Sequence, residues 1–454
     1  MGLALYTGAQ DSLNMTLLSR WDDDSLPVAS PGNLNLQYSG CWGLTVNQRE
    51  IAVLGAAEHI LFFDVTDATQ PQLIGKFAGA QRTIWREFKS YKDRVYAVSD
   101  GTTEGLMIFD LSGAPDTIIR SYWSDEYFLR SHTITLDTLS RRIYLNGTNV
   151  ASSGLLVLDI SQDLDQPVLL ANLSNLPGGY IHDSYVQNDT IYASSGFDGF
   201  FIFDCTDLDS VKLLAQIETG GYNHNSWSEP SGRYIYYTEE IPAGRPIQIV
   251  DLAKLTQGEV EISGFILDTL MGPGLGLPIP HNVYTRDTLM FNSQYEDGLL
   301  VYSVAKPDKP RLIAYYDTHP QNVQYNGYFG NWGNYPWLPS GNIIAGDMQN
   351  GLFMLQLKPE PTVHTHTPLS RPHAALHLAL SPNPVSRFAT LQISDAEGPW
   401  RYAALNMAGE SMSEGIGQGR ETLRIELTQW PAGPYLILVE TADGAKATAK
   451  LMKH

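Results

Sequence analysis

Seven times along the chain, a short strand of alternating apolar residues opens on a histidine or a tryptophan. The clearest copies are Ile181-His182-Asp183-Ser184-Tyr185, Tyr222-Asn223-His224-Asn225-Ser226-Trp227 and Pro280-His281-Asn282-Val283-Tyr284. Ser131-His132-Thr133-Ile134-Thr135 is a looser copy, and Trp42-Gly43-Leu44-Thr45, Trp85-Arg86-Glu87-Phe88 and Trp332-Gly333-Asn334-Tyr335 put tryptophan in the histidine's place. Steps of roughly 40 to 60 residues are those of propeller blades, each a unit that buries its apolar faces only against its neighbours.

Within each step the pattern predicts four strands. The third is the most regular: ILFFD, LMIFD, LLVLD, FFIFD and IQIVD end at Asp64, Asp110, Asp159, Asp204 and Asp251, and LLVYS and LFMLQ follow with Ser303 and Gln356 in that place. Such unbroken apolar runs suit strands covered on both faces, and the aspartate that follows is expected to cap the turn to the fourth strand. The last repeat, from Trp332 to Leu357, has three strands only. Leu13–Trp21 has the fourth-strand pattern and stands at the other end of the chain, so pairing it with the last blade would close the ring and remove two exposed edges. The sequence thus predicts an all-β fold: a seven-bladed β-propeller over residues 13–357 with N-terminal strand closure. Residues 1–12 read as either the tail of a signal peptide or a frayed terminus. Residues 358–379, rich in Pro, Thr and His without a strand period, read as a linker. Alternating strands return over 380–454 and predict a small C-terminal β-sandwich.

Two resemblances extend this reading. The third-strand copies, with YIHDSYVQNDTIYA, YNHNSW, IPHNVY and YPWLPSGNIIAGDMQNGLFML, make 13–357 resemble the bacterial surface proteins called choice-of-anchor B, built of LVIVD-type repeats. The resemblance implies a propeller and a surface location and brings no catalytic residues. Leu380-Ser381-Pro382-Asn383-Pro384, Asn406-Met407-Ala408-Gly409, Pro431-Ala432-Gly433-Pro434-Tyr435 and the closing Lys450-Leu451-Met452-Lys453 resemble the C-terminal sorting domain of the type IX secretion system of Bacteroidetes. That implies partnership with the secretion machinery and an extracellular or outer-membrane-surface location. Such cargo needs a full signal peptide; the apolar start here is at most a fragment, which is read as truncation.

A formal charge of −20 argues against binding a phosphate backbone, which requires a basic face. No apolar run is long enough to span a bilayer. Cys41 and Cys205 fall in distant repeats, so no disulfide is expected. Gly-rich phosphate loops, CxxC pairs, HExxH helices and GxSxG elbows do not occur, and His364 and His366 in the linker are an exposed pair without an assigned role.

The chemistry therefore falls on the ring positions Trp42, Trp85, His132, His182, His224, His281 and Trp332, which open the innermost strands and are expected at one mouth of the channel. Two readings compete. Each histidine can hydrogen-bond a neighbouring blade's backbone and lock blade to blade. Alternatively, the ring binds: His132, His182, His224 and His281 as ligands to a transition metal, or all seven as a stacking funnel for a glycan or other ring-shaped ligand. The second-strand ends are expected near the same mouth, bringing Asp100, Asn146, Ser194, Glu239, Glu240, Asn292 and Asp347. Of these, Glu239 and Glu240 have no turn duty and are the candidates for acid or base work if the protein is a metal-dependent enzyme. Asp183 and Asn225 are read as structural. The leading function is a secreted or surface binding module for an unidentified ligand; the rivals are that enzyme and a scaffold for protein–protein contacts.

Overall fold

The third strands are buried almost throughout: Phe62, Phe63, Phe109, Val157, Phe203, Ile249, Val301 and Leu355 are essentially inaccessible. Each lies inside a four-stranded antiparallel meander whose two faces pack on neighbouring meanders, which is why these runs do not alternate. The structure is a computed structural model describing residues 12–29, 35–150, 152–266, 278–321, 327–358, 378–394, 399–406, 411–441 and 446–454. The chain divides into two compact units, Met1–Pro359 and Glu360–His454.

The first unit is β-propeller-like and all-β, with seven such sheets among its described residues. Their innermost strands follow in order: Tyr38–Val46, Arg86–Tyr91, Thr133–Asp137, Asp183–Gln187, Asn223–Ser228, Val283–Arg286 and Asn331–Tyr335. The last of these packs beside the first. The aspartates that end the third strands do cap the following turn. Carboxylate oxygens of Asp64, Asp110, Asp159, Asp204 and Asp251 accept the backbone N–H two residues on, at 2.7–3.0 Å.

Met15–Trp21 pairs antiparallel with Gly351–Leu357 on the outer edge of the seventh sheet. Its register shifts between Leu17 and Ser19. The third- and fourth-strand pairs of the other six sheets carry a shift at the corresponding place. A bulge re-aims a strand and tightens its twist, so sharing it marks Met15–Trp21 as a true fourth strand. One boundary needs correction: Leu13 is not part of this strand. Ser12–Leu13 adds to the edge of the sixth sheet, Leu13 opposite Tyr315, and Asn14, at φ 50°, turns the chain from one sheet to the next. The Asn14 amide donates to the Ile313 carbonyl at 2.7 Å across that step.

The second unit holds two sheets, one of Leu378–Ser381, Phe388–Ile393 and Thr422–Glu426, the other of Ser411–Gln418, Pro399–Leu405, Gly433–Thr441 and Lys446–Lys453. They enclose a core of Val385, Leu391, Trp400, Ile425, Ile437 and Leu451. Asn383 bonds the last strand through both amide atoms, donating to the Lys450 carbonyl at 2.7 Å and accepting from the Met452 N–H at 2.9 Å. The expected signal remnant and nearly all of the expected linker lie outside the described residues.

Candidate functional site

The ring is built by the ends of the second strands, which pin the residues that open the innermost ones. The backbone N–H of His132, His182 and His281 donates to the carbonyls of Asn146, Ser194 and Ser293 at 2.8–2.9 Å. In the second sheet the Trp85 carbonyl instead accepts from the Asp100 N–H at 3.0 Å. The side chains then follow one another around the channel: centroids lie 6.4 Å apart from Trp85 to His132, 4.2 Å from His132 to His182, 4.4 Å to His224, 4.2 Å to His281 and 4.7 Å to Trp332.

A chain of hydrogen bonds runs the same way. Nδ1–H of His182 donates to the His224 carbonyl at 3.0 Å, and that of His224 to the His281 carbonyl at 3.1 Å. His281 Nδ1–H donates to the Trp332 carbonyl. A carbonyl only accepts, so Nδ1 carries the proton in all three rings and Nε2 keeps its lone pair. Burial pushes the imidazoles of His182 and His281 well below the usual histidine range and lowers His224 as well, so all three are neutral at pH 7. The hydrogen bonds of these three rings to described residues run through Nδ1. His132 differs, its Nδ1 lying 2.9 Å from Asp100 Oδ2. Burial opposes ionisation of Asp100, but the His132 bond and charge, the Gly101 N–H and Arg130 together hold its carboxyl below the usual range.

Trp42 does not belong to this ring. It pairs with Val53, three residues in from the second-strand end at Ala56, the depth at which Trp227 faces Tyr236 and Tyr335 faces Ile344. The register shift between Tyr38 and Cys41 adds the residues that displace it, leaving Ser39 and Gly40 at the mouth. A Cβ on Gly40 would meet the Arg86 carbonyl at 2.3 Å, so no side chain fits there. Trp42 instead joins a second aromatic cluster further along the innermost strands, its ring centroid 5.0–5.7 Å from those of Tyr284, Tyr335 and Trp337. This cluster borders a cavity of 330 Å³ with Tyr185, Trp227 and Lys89 in its walls. The Lys89 ammonium sits 4.1 Å from the Trp42 ring centroid. Burial lowers the Lys89 pKa against the pull of Glu87.

The paired acids separate. Glu239 is buried and committed: its Oε1 accepts from the Gly221 N–H at 2.5 Å and from Arg245 at 3.1 Å. It holds a loop and offers no free carboxylate for acid or base work. Glu240 turns to the ring, accepting a hydrogen bond from Tyr295 Oη at 2.8 Å. One nitrogen each of His224 and His281 and one Glu240 oxygen lie within 4.8 Å of one another. The remaining second-strand ends are structural. Asn146 links Thr133 and Ser184, and Asp347 accepts from Thr318 Oγ and from the N–H of Gln349 and Asn350. Asn292 bonds Gln294, while Ser194 serves through its carbonyl. Asp183 and Asn225, read from the sequence as structural, bond each other: the Asn225 amide donates to Asp183 Oδ2 at 2.8 Å across two sheets.

Sequence reasoning missed two residues of the mouth. Glu87 accepts from Trp332 Nε1 at 2.8 Å across the channel, and burial pushes its carboxyl up against the opposing effect of Lys89. Tyr295 lies 4.6 Å from His281 and 6.3 Å from Trp332 between centroids. Matching the hairpin Gln294–Gly298 residue by residue with Ser195–Gly199 would have exposed it, since Tyr295 stands where the fourth sheet has Gly196.

No family model matches the chain, and no curated protein matches it.

Proposed function

We propose that this protein is exported through the type IX secretion system and acts at the outer-membrane surface or beyond as a binding module. Its ligand is held at the histidine–tryptophan mouth. The observation that carries the binding reading is the row of three neutral imidazoles, His182, His224 and His281, each with Nδ1–H committed to a backbone carbonyl and its lone pair left on Nε2, running between His132 and Trp332. Hydroxyl groups of a saccharide ring donate to such lone pairs while its apolar face stacks on aromatic rings, so a glycan unit is the ligand class that fits. Export rests on the resemblance of residues 380–454 to sorting domains, and the surface location also on the LVIVD-type repeats.

Binding is tested with the full chain on a panel of immobilised bacterial and plant oligosaccharides. Binding of at least one class, abolished by Trp332→Ala and weakened at least tenfold by His182→Asn, is expected. An empty panel, or binding indifferent to both changes, removes the mouth as the site. Export is tested in a Bacteroidetes host with a complete signal peptide fused in front. Removal of 380–454 should strand the protein in the periplasm, and normal surface display without it would refute the sorting assignment.

A further inference from the structure

We propose that His224, His281 and Glu240 form a site for one divalent first-row transition ion, within the mouth assigned above to ligand binding and resting on that reading. Among the described residues this is the group in which three potential ligand atoms of His, Cys, Asp or Glu come together, all within 4.8 Å. Both histidines have Nδ1–H committed to a backbone carbonyl, so the lone pair each can offer is on Nε2. A metal-bound imidazole ordinarily donates its other N–H to just such an acceptor, which fixes its tautomer and aim.

The angle narrows the coordination. The two ring centroids are 4.2 Å apart. With metal–nitrogen bonds of ~2.1 Å, rings at that separation subtend roughly 80° at a shared ion. That is near the right angle of an octahedral face and well short of a tetrahedral angle. Two imidazoles and a carboxylate on one face leave the opposite positions for water or for an oxygen-bearing ligand from the channel.

Tyr295 supplies an independent sign that Glu240 is held for a purpose. Tyr295 has φ 45°, and Gly196, which bridges Asn223 as Tyr295 bridges Asn331, has φ 57°. Bulky L-residues rarely adopt this conformation, and glycine does so freely. The tyrosine is kept there with its ring on His281 and its hydroxyl on Glu240 Oε1, which orients the carboxylate toward the two imidazoles.

The test uses tag-free full-length protein stripped with chelator and titrated with Zn²⁺ or Co²⁺ by calorimetry, with the visible absorption of the Co²⁺ form recorded. One equivalent should bind, and the Co²⁺ form should show the weak bands of five- or six-coordination. His224→Asn and His281→Asn keep a donor near the Nδ1 position while deleting Nε2, and Glu240→Gln keeps an acceptor for Tyr295 while deleting the charge. Each should weaken binding at least tenfold. Tyr295→Gly suits the left-handed backbone, so it should fold and still weaken binding several-fold. Absence of a stoichiometric site, or a site unaltered by His281→Asn and Glu240→Gln in folded protein, overturns the proposal. Saccharide binding that persists in chelator without any such site would sink the metal proposal alone. A metal site in a protein that binds no saccharide would sink the glycan reading alone.

Discussion

Met15 is where the closure of the ring can be tested most sharply. Fifteen residues from the start of the chain, it is only 2% exposed and packs with Phe291, Tyr316, Phe353 and Leu355 from the sixth and seventh sheets. Leu13, two residues earlier, is 42% exposed on the edge of the sixth sheet. Met15→Ala removes a fully buried side chain from between two sheets, a change that costs about 2–5 kcal/mol. Leu13→Ala at a half-exposed edge should cost under ~1 kcal/mol. The measurement is equilibrium denaturation followed by tryptophan fluorescence, with midpoints compared at unchanged slope. Trp21, whose ring is 4.7 Å from that of Phe63, reports the closing strand directly. If Met15→Ala shifted stability no more than Leu13→Ala, the terminal segment would be an appendage and the pairing with Gly351–Leu357 would not hold the ring.

Other outcomes follow from the same structure. His182→Ala leaves the buried His224 carbonyl without its donor and should cost about 1–3 kcal/mol, whereas His182→Asn, which keeps a donor near Nδ1, should recover most of that in the same denaturation experiment. The pH dependence is best read as a difference between parent and His182→Asn, because Glu87 and Glu296, raised by burial (Glu296 to about 7), pull the opposite way in both proteins. His182 has a folded pKa below its unfolded one. Its contribution is therefore full above about pH 6.5 and is lost below it, at up to ~1.4 kcal/mol per pH unit that the variant should not show. Trp42→Ala should cost about 3–5 kcal/mol while leaving metal or saccharide binding at the mouth unchanged, as calorimetry would show.

The repeat was legible because each unit solves one burial problem in the same way. The runs ending at Asp64, Asp110, Asp159, Asp204 and Asp251 announce both the covered strand and its turn cap, and Met15–Trp21 was found by noting which strand was missing. Errors came where register departs from sequence spacing. Trp42-Gly43 copies Trp332-Gly333 by eye, yet the shift after Tyr38 carries Trp42 to the depth of Tyr335. Likewise Glu239 and Glu240 are neighbours in sequence with opposite fates: Glu239 closes the strand Tyr234–Glu239 and meets Arg245, while Glu240 lies just beyond that strand and meets Tyr295. Nothing in the local sequence told them apart. Tyr295 was hidden for another reason: its significance lies in a backbone conformation that composition does not report.

Blade locking and ligand binding looked like alternatives in the sequence, and the geometry makes them compatible. Locking uses Nδ1, whose proton crosses to the next carbonyl in the series His182, His224, His281, Trp332. Binding would use Nε2, on the other side of the same ring, and only the locking bond guarantees that Nε2 is the unprotonated nitrogen. A histidine that locks a blade is thereby prepared to accept a hydrogen bond or a metal ion, at no further cost in tautomer or orientation. The two duties separate under substitution. Asparagine at these positions retains a donor for the carbonyl and lacks Nε2, so it should preserve the ring while emptying the mouth. Loss of folding in His224→Asn and His281→Asn alike would show that the rings pack as well as bond, and would return the site to a purely structural role.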